Sequence, residues 1–316
     1  MDRMDVHMKH LFVVNPHAGK KKGRFAETET AIKRFTADLS SPYEVYITQK
    51  PMDACLKVAE EAERGDELYV YACGGDGTLN ECVNGAAGHE NTAVTHYPCG
   101  TGNDFIRMFG EADLPKFRDF RLLAEGTVRA IDLIDCNGRY GINICSVGID
   151  ARIGTDVHKY SSIPLIGGAT GYVVSLIINL IKGVKQEFSI STPGEALSGE
   201  FSLICACNGR FYGGGFNPVP EAMPDDGLIE FLIVKGVSRI KVVKIIMRYA
   251  KGRYRELTDT ITHLQGADMR ITGEREFVVN VDGESLHTDD LNMKIITGGA
   301  NFIFPAGMEF FNDLRE

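Results

Sequence analysis

This 316-residue chain has no CxxC pair, no apolar leader and no excess of positive charge. Each absence removes a class of protein. Without CxxC at zinc spacing, the eight cysteines at 55, 73, 82, 99, 136, 145, 205 and 207 read as buried reduced thiols of a cytoplasmic protein. Cys205 and Cys207, two apart on a strand-like run, are expected on one face. The opening MDRMDVHMKH carries no signal-peptide core, and Met1, Met4 and Met8 are each a candidate start. With 34 basic against 43 acidic residues and a formal charge of -9, no broad nucleic-acid face is expected, because such domains carry a basic excess. An anionic partner must meet a local basic patch. Internal repeats, linkers and low-complexity tracts are lacking too. At 44% hydrophobic and 24% charged residues, the chain is neither a disordered tail nor a fibre, and its length favours two domains.

Long hydrophobic runs are scarce as well. From Tyr160 to Ile181 there is no charged residue, but Pro164, Gly167, Gly168, Gly171 and Asn179 interrupt the stretch. Only Val173 to Ile181 is densely apolar, with Ser175 and Asn179 at i and i+4. That spacing predicts a mostly buried helix with one polar stripe, not a membrane span.

The first 130 residues alternate strand and helix patterns. Strands are expected at Leu11 to Val14, Tyr43 to Thr48, Leu68 to Cys73 and Ala93 to Tyr97. Helices are expected at Phe25 to Leu39, Asp53 to Arg64 and Leu79 to Ala87. This order implies parallel β-α-β units and an open, Rossmann-like α/β domain. Afterwards come many short strands: Arg129 to Leu133, Arg139 to Gly148, Gln186 to Thr192, Gly199 to Cys207, Gly227 to Val234, Asp268 to Thr272, Phe277 to Val281, Lys294 to Thr297 and Asn301 to Phe304. Two helices interrupt them, near 168–183 and 238–250. The pattern predicts a second, mainly antiparallel β-sandwich domain. The expected boundary between the two falls near residue 130.

What the sequence does have in excess is glycine, 35 residues, about 11% against a usual ~7%. Gly74-Gly75-Asp76-Gly77-Thr78-Leu79-Asn80-Glu81 follows an apolar strand and opens a helix. Glycines there bring backbone N–H groups close to an anion, and the helix N-terminus adds positive potential. A carboxylate at Asp76 beside a phosphate is unfavourable unless a cation bridges them, which implies Mg²⁺. Pro98-Cys99-Gly100-Thr101-Gly102-Asn103-Asp104-Phe105 follows the next strand with glycines, a hydroxyl and a second carboxylate. A third loop, Asn15-Pro16-His17-Ala18-Gly19-Lys20-Lys21-Lys22-Gly23, leaves the first strand and is basic. All three fall where ligands bind in open α/β sheets, outside the carboxyl ends of the strands. Neither GxxxxGK[ST] nor GxGxxG is present.

GGDGTLNE followed by PCGTGNDF resembles the catalytic domain of diacylglycerol kinases and related bacterial lipid kinases, within a superfamily that includes sphingosine and NAD kinases. The resemblance extends over essentially the whole chain, through the NPxxG loop at Asn15, Met223-Pro224-Asp225-Asp226-Gly227-Leu228 and Asp282-Gly283-Glu284. It implies that Asn15, Gly19, Thr48, Gly74, Gly75, Asp76, Gly77, Thr78, Leu79, Asn80, Gly100, Thr101 and Asn103 surround ATP. Asp76 and Asp104 would organise catalytic Mg²⁺ through water. Glu284 would be the general base on a lipid hydroxyl, supported by Asp282. Asp226, with the carbonyls of Met223 and Leu228, would hold a second, structural Mg²⁺. A homodimer is implied as well, as is the return of the C-terminal strand near Asn301 to Phe304 to the N-terminal domain, which sets the expected boundaries at 1–130 plus 299–316 for the α/β domain and 131–298 for the sandwich. One departure is His17-Ala18, where the family usually has a serine before the glycine.

The expected activity is phosphorylation of diacylglycerol to phosphatidic acid. The alternatives are a small-molecule kinase of the NAD kinase kind and an inactive nucleotide-binding regulator. The expected location is the cytoplasm, peripheral at the inner membrane face. Lys20, Lys21, Lys22, Arg24, Arg152 and Lys159 are the candidate lipid-surface contacts, and the uncharged segment is a candidate acyl-chain pocket.

Overall fold

The computed structural model describes residues 8–19, 23–149, 151 and 183–310. Lys20, Lys21, Lys22, Arg152, Lys159, the uncharged segment and the helix expected near 168–183 lie outside them. The chain divides into two compact units, Met1–Asp132 with Thr297–Glu316, and Leu133–Ile296.

The first unit is built on β1 (Lys9–Val14), β2 (Tyr43–Ile47), β3 (Leu68–Gly74) and β4 (Thr92–Pro98). The end of a long later strand, β13 (Glu284–Phe304), joins them. The order is β2-β1-β3-β4-β13, and every pairing is parallel. The helices α1 (Arg24–Thr36), α2 (Asp53–Ala62) and α3 (Asp76–Ala86) connect the strands; α4 (Asp104–Arg107) and α5 (Phe120–Ala124) follow. Leu11, Phe12, Val13, Val70 and Tyr71 have no exposed surface, as parallel strands covered on both faces require. Phe12 stacks on Tyr71 at 4.7 Å and Tyr97 on Phe120 at 4.2 Å. The chain leaves β1 toward β2 on one side and returns to β3 on the other. The carboxyl ends of β1 and β3 therefore flank the switch point where open sheets bind ligands.

The second unit holds the far end of β5 (Thr127–Cys136), then β6 (Arg139–Gly141), β7 (Ile144–Gly148), β8 (Gln186–Ser191), β9 (Ala196–Cys207), β10 (Ile229–Lys235), β11 (Ile261–Gly266), β12 (Asp268–Val281) and the start of β13. The helix α6 (Arg239–Tyr249) follows β10. All pairings within this unit are antiparallel. β9 pairs with β8 along its first half and with β7 along its second; β12 does the same. This exchange of partners folds the sheet around a core that includes Phe188, Ile204, Phe231, Ile271 and Val279. The opposite face of β9 carries Leu203, Cys205 and Cys207, which pack with Val242, Ile245 and Tyr249 of α6. Cys205 and Cys207 do share a face, with Sγ atoms 3.5 Å apart, and all eight cysteines are free thiols.

Several boundaries differ from the sequence pattern. Asp268 to Thr272 and Phe277 to Val281 belong to one strand, because a register shift between Thr272 and Phe277 absorbs the polar interval. Arg139 to Gly148 breaks into β6 and β7, because the N–H groups at 142–144 turn to the Asp282 carboxylate instead of a neighbouring strand. Among the described residues no helix is long and apolar enough to cross a membrane.

Candidate active site

Three loops leave β1, β3 and β4 and meet backbone to backbone. The Asn15 N–H donates to the Cys73 carbonyl at 3.0 Å, and Asn15 Nδ2 donates to Thr78 Oγ1 at 3.2 Å. Gly19 lies so near the Cys99 carbonyl that a Cβ would fall 2.4 Å from it. A Cβ on Gly100 would fall 2.5 Å from the Gly75 Cα, so only glycine lets the second and third strand ends touch. The Gly74 carbonyl accepts from the Cys99 N–H at 2.7 Å and the Gly100 N–H at 3.1 Å.

A third group close to that carbonyl is His96 Nε2, at 3.1 Å. An oxygen acceptor there places the proton on Nε2. Burial pushes the imidazole down to about 4, so it is neutral at physiological pH. With the Gly74 C=O held inward, the trans peptide aims the Gly75 N–H the opposite way. His96 was not among the expected residues. It sits in β4, a strand buried on both faces, so its place among apolar neighbours reads as core.

α3 starts three residues earlier than expected, at Asp76, with Gly75 as its N-cap. The first helical bond of the motif is Leu79 N–H to the Gly75 carbonyl, 3.1 Å. The N–H groups of Asp76, Gly77 and Thr78 therefore precede it and have no helical acceptor. Leu79 and Asn80 are buried, and Asn84 Nδ2 donates to the Asn80 carbonyl at 2.9 Å. The Glu81 carboxylate accepts from the Met52 N–H at 2.9 Å and the Ala54 N–H at 3.2 Å, so the last residue of the motif caps α2. Thr48 continues β2, its N–H donating to Val14 at 3.0 Å.

Both carboxylates approach Gly102. A Cβ at that position would be 2.6 Å from Asp76 Oδ2 and 3.4 Å from Asp104 Oδ2, so one point sits close to both. The Asp104 N–H donates to Asp76 Oδ1 at 2.5 Å. Burial raises the Asp76 carboxyl, against the backbone donors of Asp104, Asn103, Phe105 and Asp76 itself. Arg107 holds this loop, donating from Nε to the Gly102 carbonyl at 2.9 Å and lying 3.3 Å from Asp104 Oδ1. Asn103 turns the chain with φ 51° and donates from Nδ2 to the Gly100 carbonyl at 3.0 Å, while Thr101 is exposed. Two carboxylates approaching one point fit the chemistry of Mg²⁺, which takes one or two carboxylates and completes its shell with water and phosphate. Arg24, expected at a lipid surface, is half-buried in the first turn of α1.

In the second unit, Asp282 and Gly283 both have positive φ, 51° and 99°, and turn β12 into β13. The Asp282 carboxylate accepts from the N–H groups of Ile142 at 2.6 Å, Asn143 at 3.1 Å and Ile144 at 2.8 Å. The next carboxylate, Glu284, has a half-exposed side chain whose Oε2 lies 3.9 Å from Arg139 Nη2. One carboxylate is thus committed to the backbone and the other faces solvent. Met223, Asp226 and Leu228 fall in one turn before β10, where Asp226 Oδ1 accepts from the Leu228 N–H at 3.0 Å.

A parallel α/β unit with three touching phosphate-type loops and paired carboxylates, followed in the chain by an antiparallel sandwich, defines a nucleotide-using kinase. The description "Diacylglycerol kinase catalytic domain" matches residues 9–136, and "YegS C-terminal NAD kinase beta sandwich-like domain" matches 143–302. The chain belongs to this family, the YegS-like lipid kinases with a diacylglycerol kinase catalytic domain. A YegS-like candidate lipid kinase of Stenotrophomonas maltophilia (strain K279a) is 29% identical over 84% of this chain and 87% of its own length. A candidate lipid kinase of Staphylococcus aureus (strain JH9) is 26% identical over 77% and 79%. A solved candidate diacylglycerol kinase of Bacillus anthracis str. Sterne superposes with a TM-score of 0.75 at 25% identity, covering 95% of this chain and 96% of that one.

Proposed function

We propose that the protein transfers the γ-phosphoryl group of ATP to the hydroxyl of diacylglycerol, giving phosphatidic acid and ADP, with Mg²⁺. The observation that carries this is the pair of carboxylates, Asp76 and Asp104, about Gly102 at the N-terminus of α3. Asn15, Gly19, Thr48, Gly74, Gly75, Gly77, Thr78, Gly100, Thr101 and Asn103 line the nucleotide's path. The N–H groups of Gly75, Gly77 and Thr78 are the phosphate donors, while Leu79 and Asn80 support the helix from within. Mg²⁺, when bound by Asp76 and Asp104 through water, neutralises charge on the phosphate oxygens. Glu284 takes the lipid hydroxyl proton as that oxygen bonds to the γ-phosphorus and the bond to the β,γ-bridging oxygen breaks. Asp282 sets the hairpin from which Glu284 projects. Asp226, with the carbonyls of Met223 and Leu228, would hold a second, structural Mg²⁺. The protein works in the cytoplasm as a homodimer, peripherally at the inner membrane face.

The test is incorporation of γ-phosphate from labelled ATP into a panel of lipids in mixed micelles, with and without Mg²⁺. Asp76→Ala is expected to abolish turnover, and Glu284→Ala to lower it by about 10²–10⁴-fold, the usual worth of a positioned base. Unchanged phosphatidic acid formation in either variant refutes the assignment. Formation of NADP from NAD would identify a small-molecule kinase instead.

A further inference from the structure

α6 has two apolar faces where a surface helix ordinarily has one. Val242, Ile245 and Tyr249 pack into the core of the second unit. Ile240, Val243 and Met247 repeat the same i, i+3, i+7 spacing and are 71%, 58% and 59% exposed. At 100° per residue the centres of the two stripes are about 160° apart, so the second ridge points away from the core. Lys241, Lys244 and Arg248 are also exposed and run along one flank of that ridge.

The charge around the helix is anomalous for this chain. From Lys235 to Lys251 there are six basic residues and no acidic one, although the whole chain carries -9; beyond them Arg253 and Arg255 are paired with Glu256 and Glu221. An apolar ridge flanked by cations, on an element already anchored by its other face, has the composition of a helix that lies in a bilayer interface. A second copy of the chain is a poorer occupant. Two such helices meeting antiparallel about a two-fold axis would gather Lys241, Lys244 and Arg248 of both copies on one side, and α6 has no carboxylate to pair them.

We infer that α6 docks the protein on an anionic lipid bilayer. Ile240, Val243 and Met247 enter the boundary between headgroups and acyl chains, and Lys241, Lys244 and Arg248 engage lipid phosphates. This deepens the lipid-kinase reading and rests on it only for what the docking serves.

The test uses the full chain with phosphatidylcholine vesicles, with and without phosphatidylglycerol, read by co-sedimentation. The triple variants are I240S/V243S/M247S and K241Q/K244Q/R248Q. Each is expected to weaken binding to the anionic vesicles by about tenfold or more, with Tm and turnover of monomeric short-chain diacylglycerol unchanged. Wild-type binding is expected to fall with added salt and to be weak on phosphatidylcholine alone. Unaltered vesicle binding by both variants overturns the inference, as does equal binding to the two vesicle types. So does a wild-type dimer that the apolar variant makes monomeric without loss of vesicle binding. Variant-sensitive docking by a protein that phosphorylates no lipid would leave the inference standing and remove the kinase reading instead.

Discussion

Gly102 shows how a single missing side chain shapes the site. An alanine Cβ would sit 2.6 Å from Asp76 Oδ2, against a carboxylate that is itself fixed by the Asp104 N–H. Gly102→Ala is expected to lower Mg²⁺-dependent turnover by about 10²-fold, the scale of an ångström-sized misplacement, with little change in Tm; steady-state kinetics and a melting curve decide it. His96 makes a prediction about pH. Its folded value of about 4 lies below the ordinary 6.5, so unfolding takes up a proton between those limits. Its contribution to stability is complete above about pH 6.5 and is lost as pH falls toward 4, amounting to ~3 kcal/mol. Urea unfolding across that range should show the slope, and His96→Gln should flatten it. The motif residues were legible in the sequence because strand, glycine turn and helix are local signals. His96 and Arg107 were not, because what matters is the carbonyl each one reaches.

At the scale of elements, hairpin and helix ends are held by carboxylates whose roles sequence spacing leaves open. Asp282 and Glu284 are two residues apart, yet Asp282 accepts three backbone N–H groups and Glu284 is exposed to solvent. Asp282→Ala is expected to cost about 3 kcal/mol, since buried donors lose a charged acceptor. Glu284→Ala should stay within ~0.5 kcal/mol of the parent; denaturant melts separate the two. A second case joins β1, β2 and α2. Glu61, with only 1% of its side chain exposed, takes Lys9 and Lys57 at 2.7 Å each, and both lysines also reach Glu44. Burial disfavours the Glu61 charge, but the hydrogen bonds from Lys57 and Lys9 outweigh it and hold the carboxyl below its usual value. Its contribution is therefore present above the ordinary glutamate range and lost as pH falls through it. Glu61→Ala leaves Lys9 and Lys57 with Glu44 alone and should cost about 2 kcal/mol, the scale of lost hydrogen bonds between charged groups, measurable by urea unfolding at neutral pH.

At the scale of the whole molecule, the chain's last strand completes its first unit. Asn301 and Phe302 pair with Ala93 and Val94 of β4, and Thr95 Oγ1 donates to the Ile303 carbonyl at 2.8 Å. Phe302 packs on Phe105 at 5.4 Å and Phe304 on Phe109 at 5.4 Å, with Phe302 fully buried. Phe302→Ala should cost about 3–5 kcal/mol. A chain ending at Ile296 should lose nucleotide binding, because α4, which carries Asp104, packs on these rings; fluorescent ATP-analogue titration reads the loss. The sequence pattern marked 301 to 304 as a strand, and only the family resemblance returned it to the first domain, because a pattern of four residues names no partner some two hundred positions away.

The sequence by itself determined which local structures form and which chemistry they can carry. Alternating apolar runs, glycine turns and helical spacings act over a few residues, and Asp76 and Asp104 were legible on that scale, whereas Asp282 and Glu284 were placed by the family resemblance. Only the tertiary structure decided which groups are already occupied. Packing brought Gly100 onto Gly75, placed Gly102 close to two carboxylates, committed Asp282 to three N–H groups and turned Ile240, Val243 and Met247 outward from a core their spacing would equally have fitted. Hydrogen-bond partners and burial depend on residues distant in the chain, so no window along the sequence contains them.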